Sequence, residues 1–147
     1  MKITEALLAE HVVFHNIFDH IERVLPKLRT LAEVKALAGL MESLLHAHGT
    51  TEEDLVFAPL DHCLEQIGQR DTFELEHEEI DASLLRVKAA RRLPEARWLM
   101  SGAVLASRKH FDHEERIAFP LAEKVMKRET LVQLGRSWME QRQASPT

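Results

Sequence analysis

Tyrosine is absent from this chain, and cysteine occurs once, at Cys63. A lone cysteine excludes an internal disulfide, so the cysteine count permits a reducing compartment. Glycine and proline number five each in 147 residues, too few for a loop-rich all-β protein. No run of about 18 apolar residues occurs, so no segment reads as a membrane-crossing helix. There is no basic run either, and the net charge of -5 repels phosphate backbones and anionic lipid. The opening MKITEALLAEH is broken by Glu5, Glu10 and His11 and does not read as a signal peptide. No linker rich in Gly, Ser or Pro divides the chain. These absences lead to the expectation of one cytoplasmic domain over 1–147, with neither nucleic acid nor membrane as partner.

What is present favours helix. Ala, Leu, Glu and Arg abound, and β-branched residues are sparse. Four long helices are expected. The first covers Thr4 to Leu25, before Pro26, and the second Leu31 to Phe57, stopping near Pro59. Gly49, Thr50 and Thr51 are expected to distort the second. The third covers Thr72 to Ala90, and the fourth runs from Pro94 to Phe119, before Pro120. A shorter fifth helix is expected over Ala122 to Gln141, followed by a frayed tail from Gln143 to Thr147. The fold class is thus all-α: an up-down-up-down four-helix bundle (about 3–121) with a short additional C-terminal helix (about 122–141).

Each main helix carries one apolar stripe at helical spacing. The stripes are Leu7, Leu8, His11, Phe14, Phe18, Ile21; Leu37, Met41, Leu44, Leu45, His48, Glu52, Leu55; Phe73, His77, Ile80, Leu84, Leu85; and Leu99, Ala103, Ala106, His110, Glu114, Ile117, Leu121. Every stripe holds a histidine, and two hold a glutamate one turn further on. Burying an unpaired carboxylate costs several kcal/mol or more. A cation offsets that cost and takes neutral imidazole nitrogens as ligands. Residues four apart share a helix face, so His48 with Glu52, and His110 with Glu114, can each chelate from one helix. Six such ligands are too many for one tetrahedral zinc but suit a dinuclear site in which the carboxylates bridge. Taken singly, each histidine reads as an ordinary core or surface group; the metal reading rests on the six together.

An internal repeat supports pairing of the helices. His48-Gly-Thr-Thr-Glu52-Glu53, with Leu55, Phe57 and Pro59, parallels His110-Phe-Asp-His-Glu114-Glu115, with Ile117, Phe119 and Pro120. Glu10-His11 likewise parallels Glu76-His77. The repeated HxxxEE, followed by an apolar residue, Phe and Pro, resembles the hemerythrin-like (HHE cation-binding) family over roughly Ile3 to Leu121. That resemblance implies two iron ions in the bundle core, with His11, His48, His77 and His110 as terminal ligands. Glu52 and Glu114 would bridge, together with an oxo, hydroxo or water ligand. Oxygen carriers of the family use a second histidine one turn from the first on the third helix. Here Phe73 and Asp81 stand four residues from His77, so Asp81, His15 or solvent is left to fill that place. Glu53 and Glu115 compete with their neighbours as ligands, and His113 stands near enough to be considered.

His20, His46, His62 and His113 read as surface groups or as groups just behind the ligands. Trp98 and Trp138 read as packing residues, Met41, Met100 and Met126 as core filler, and Cys63 as inert. Glu74 and His77 form one Glu-x-x-His, but ferritin-like carboxylate proteins need that motif on two helices. The expected function is binding of oxygen or a related small ligand at a diiron centre, for sensing, storage or delivery. The apolar wall would come from Phe14, Phe18, Leu45, Leu84 and Ile117. The alternative is an oxidoreductase handling peroxide or nitric oxide, or donating iron for repair of iron centres. A metal-free helical interaction module is disfavoured by the glutamates in the stripes. Oligomeric state is not legible.

Overall fold

A computed structural model describes residues 1–144; the last part of the expected frayed tail, 145–147, lies outside the described residues. All regular structure in the described residues is helical. Helix α1 (Ile3–Val24) runs into a 3-10 turn, Leu25–Lys27, that carries Pro26. Helix α2 (Leu31–Glu52) starts on a capping box: Thr30 Oγ1 accepts from the Glu33 amide at 3.2 Å, and Glu33 Oε1 accepts from the Thr30 amide at 3.1 Å. A π-helical turn, Glu53–Phe57, leads straight into α3 (Ala58–Gln66). Helix α4 (Arg70–Ala89) follows, then α5 (Leu93–His113) with Pro94 in its first turn. A second π turn, Glu114–Ala118, joins α5 to α6 (Phe119–Val125), and α7 (Arg128–Gln143) ends the described structure. Four long rods therefore run up, down, up and down, and α7 packs along α1.

Two expected helix ends are corrected. Pro59 and Pro120 lie inside their rods. A proline has no amide hydrogen, and its ring crowds the carbonyl four residues back. In both rods the preceding turn is widened, with the Ala58 amide bonded to the Glu53 carbonyl and the Phe119 amide to the Glu114 carbonyl. That moves the offending carbonyl aside, so the helix continues. The second rod ends instead at Gly68, whose φ of 72° closes a left-handed turn. There the Gln69 amide reaches the Leu64 carbonyl at 2.9 Å and the Gly68 amide the Glu65 carbonyl at 3.0 Å. The fifth helix starts at Arg128, because 119–125 belong to the fourth rod. The expected distortion at Gly49 to Thr51 falls instead on Glu53–Phe57.

The core forms two apolar clusters. One gathers Phe14, Phe18, Ile21, Met41, Leu84, Met100 and Phe111; the other gathers Ile3, Leu7, Leu60, Leu64, Phe73, Phe119 and Leu131. His11, His48, Glu52, His110 and Glu114 are buried between them in chain order on each rod. Four packing expectations fail: Trp98 is 76% exposed, and Leu8, Leu44 and Leu85 of the stripes are exposed too. Met41 and Met100 are buried, and Met126 is half-buried against the second cluster. No helix of the described residues is long and apolar enough to cross a membrane.

Candidate metal centre

Helix α1 contributes His11, α2 contributes His48 and Glu52, α4 contributes His77, and α5 contributes His110. Glu114 is the first residue of the second π turn. The six side chains meet as two groups: His11, His48, Glu52 and Glu114, and Glu52, His77, His110 and Glu114. Within each group the potential ligand atoms lie within 4.8 Å of one another. Both glutamates belong to both groups.

The carboxylate oxygens divide between the groups. Glu52 Oε1 lies 2.7 Å from His48 Nε2 and 3.3 Å from His11 Nε2, while Glu52 Oε2 faces His77 Nε2 at 3.9 Å. Glu114 Oε1 lies 3.5 Å from His11 Nε2, and its Oε2 lies 3.4 Å from His110 Nε2. His11 and His48 bring their Nε2 atoms to 3.2 Å, and the His77 and His110 rings meet edge to face at 4.3 Å.

This cluster is under-satisfied by the protein alone. Glu52 and Glu114 are both 0% exposed. Glu52 Oε2, both oxygens of Glu114 and His110 Nε2 are buried without a hydrogen-bond partner among the described residues. Such orphaned groups cost about 1–3 kcal/mol each, more when charged. They point inward together, and nitrogen and carboxylate donors of this kind suit iron, zinc or manganese. The donor set therefore fits a pair of cations.

In the metal-free protein, protons fill part of the role. Burial alone would lower the His48 pKa, but the Glu52 charge and hydrogen bonds to Glu10 and Glu52 push it up to about 10. His11 follows the same logic: burial lowers it, and the nearby carboxylates of Glu114 and Glu52 raise it to about 9. Burial raises Glu52, yet the charge of His48 and the bonds to His11 and His48 hold it well below the usual carboxylate range. Glu114 moves the other way, pushed up by burial and by the charge of Glu52. His77 is lowered, first by burial and then by the charge of His110.

A further layer of residues, unassigned from sequence, holds the histidines. His48 Nδ1 bonds Glu10 Oε1 at 2.7 Å, and His110 Nδ1 bonds Glu76 Oε1 at 3.0 Å. Such carboxylates fix the tautomer and aim Nε2 at the site. The Glu10-His11 and Glu76-His77 repeat was the visible signal for them: each glutamate precedes a site histidine on one rod and orients a histidine of another. His113 also bonds Glu76 Oε1 through Nδ1 at 3.0 Å, with Nε2 on Gln69 at 3.0 Å, so of its two expected places it takes the one just behind the ligands. Phe111 was missed too. Its ring stacks on His11 at 3.9 Å and 5° and touches Phe14, Phe18 and His48.

The remaining candidates lie outside both groups. His15 packs against Phe111 and is bonded by Arg108 at 3.0 Å. Glu115 Oε2 lies 3.4 Å from His11 Nδ1 without making a hydrogen bond, and Glu53 and Asp81 line a surface groove of about 390 Å³. His77, 38% exposed at its side chain, forms part of that groove's wall with Leu45 and Gly49. A Cβ at Gly49 would sit 3.3 Å from His77 Cε1, so this glycine of α2 makes room for the imidazole. His20, His46 and His62 are exposed.

A family model described as "Hemerythrin HHE cation binding domain" matches residues 2–122. No curated protein and no solved structure matches the chain. The matched stretch contains all six clustered residues and ends before α7.

Proposed function

Starting from a chain that belongs to the hemerythrin HHE cation-binding family, we propose that it holds two iron ions and binds oxygen or a related small ligand for sensing, storage or delivery. The single observation behind the dinuclear reading is the division of each buried glutamate's oxygens between two histidine groups. His11 and His48 would hold one ion, His77 and His110 the other, with Glu52 and Glu114 bridging. When bound, such a centre supplies a redox-active Lewis acid able to take a diatomic ligand.

The chain's own residues do the rest. Glu10 and Glu76 keep the Nδ1 protons of His48 and His110, leaving the Nε2 lone pairs for the ions. Phe111 and Phe14 pack against the His11 and His48 rings and exclude water from that side. The His77 side opens to the groove, which offers a small ligand a way in.

That same groove favours a second reading, a diiron oxidoreductase acting on peroxide or nitric oxide or donating iron for repair, since turnover requires solvent access. Metal analysis after anaerobic iron loading tests the first premise: about two irons per chain are expected, and none would reject it. Glu52→Ala and Glu114→Ala are each expected to abolish dinuclear loading while His62→Ala does not. Stopped-flow mixing of the reduced protein with oxygen then separates the readings. A reversible spectral change supports binding; rapid oxidation with peroxide consumption supports turnover.

A further inference from the structure

We propose that α7 is a positioning clamp for the metal centre, acting through Glu10 on His48, with Trp138 and Arg142 as its two contacts. The inference rests on the reading of His48 as a ligand. Helix α7 lies beyond the stretch matched to the family, yet its last turns reach the residue that orients His48. Glu10 Oε1 accepts from His48 Nδ1 at 2.7 Å and from Arg142 Nη2 at 2.9 Å. Its Oε2 accepts from Trp138 Nε1 at 2.9 Å and from Arg142 Nε at 2.5 Å. Both carboxylate oxygens are therefore held from α7, and His48 shares Oε1 with Arg142.

A second strand of contacts supports the clamp. Arg142 Nη1 also donates to Thr51 Oγ1 at 2.9 Å, and Thr51 bonds Gln141 Oε1 at 2.9 Å. Thr51 is buried and immediately precedes Glu52. Its hydroxyl, weak by helix propensity, is thus used to fasten α2 to α7. The other half of the site is built differently. Glu76 is held by His113 and His110, and among the described residues neither an arginine nor a tryptophan bonds it. The clamp makes the two metal positions inequivalent: the His11/His48 position is tied to the C-terminal helix, and the His77/His110 position is not.

The test uses the full chain with Trp138→Phe, Arg142→Gln and Glu10→Gln. The control is Arg136→Gln, an exposed arginine on the same helix with the same change of charge. In metal-free protein, NMR follows the His48 Nδ1 proton. A slowly exchanging signal is expected in wild type and Arg136→Gln, and exchange broadening in Trp138→Phe and Arg142→Gln. In protein loaded anaerobically with Fe2+, transfer to a chelator is timed. One of the two ions should leave about tenfold faster in Trp138→Phe and Arg142→Gln, with Arg136→Gln unchanged. Adding Arg142→Gln to Glu10→Gln should accelerate release no further, whereas a purely structural docking role would persist in that background. Either an unchanged His48 signal or, in iron-loaded protein, an unchanged release rate overturns the clamp, as does full additivity with Glu10→Gln. A wild-type protein that takes up no iron yet shows the NMR pattern overturns the diiron reading and with it the clamp's role at a metal, leaving only the positioning of His48 by α7 through Glu10.

Discussion

Glu52 and Glu114 serve alike in the proposed metal-loaded site, but the metal-free protein treats them oppositely, and replacing each with methionine exposes the difference. Glu114 is fully buried, neither of its oxygens has a hydrogen-bond partner among the described residues, and burial first, then the charge of Glu52, pushes its pKa up. Glu114→Met keeps the length of the side chain and removes an orphaned buried group. Relief of that group is worth about 1–3 kcal/mol, which at about 2–4 °C per kcal/mol raises the metal-free Tm by roughly 5 °C. Glu52 instead accepts from His48 at 2.7 Å and His11 at 3.3 Å. Glu52→Met leaves two imidazolium groups in the interior, a loss of up to about 3–5 kcal/mol, softened as they shed their protons. The assay is thermal and urea unfolding of metal-free protein, repeated with Fe2+. Wild type should gain about 2.7 kcal/mol per site at a hundredfold excess over Kd; both variants should lose the dinuclear part of that gain. A Glu114→Met protein less stable than wild type without metal would refute the reasoning, because it would mean that Glu114 is satisfied by the protein itself.

The raised histidines set a pH dependence. With folded values near 9 for His11 and 10 for His48 against an ordinary 6.5, their contribution to metal-free stability is complete below about pH 6.5 and is lost as pH climbs through 9 and 10. Metal must displace those protons, so loading should release protons in a pH-stat, and apparent Fe2+ affinity should rise from pH 6 to pH 8; a flat profile contradicts the assignment. Phe111→Ala removes a ring stacked on His11 and should cost about 3–5 kcal/mol in urea unfolding, with Phe111→Leu recovering most of it. Gly49→Val should push His77 out of line and lower occupancy of its metal position while leaving the His11/His48 position filled, as read by metal content and spectra.

Much of the site was legible because its signal is local. Four histidines and two glutamates on apolar stripes are visible through helical periodicity alone, and HxxxE places two ligands on one face whatever surrounds the helix. The repeat of the two halves pointed to the family. Helix ends were less legible. A proline normally stops a helix, and only the widened turns at Glu53–Phe57 and Glu114–Ala118 let Pro59 and Pro120 pass. Gly68 was the signal for the true end of the second rod.

The chain alone determined an all-α bundle with a histidine and carboxylate belt, since periodicity and the cost of buried charge act within each helix. Only the tertiary structure decided which oxygen faces which histidine, that Phe111 rather than a more distant ring covers His11, and that Trp98 is left in solvent. It alone brought Trp138 and Arg142 to Glu10, more than a hundred residues away in sequence. Contacts of that kind depend on how rods cross and on the distance between their axes, and a pattern read along one helix contains neither.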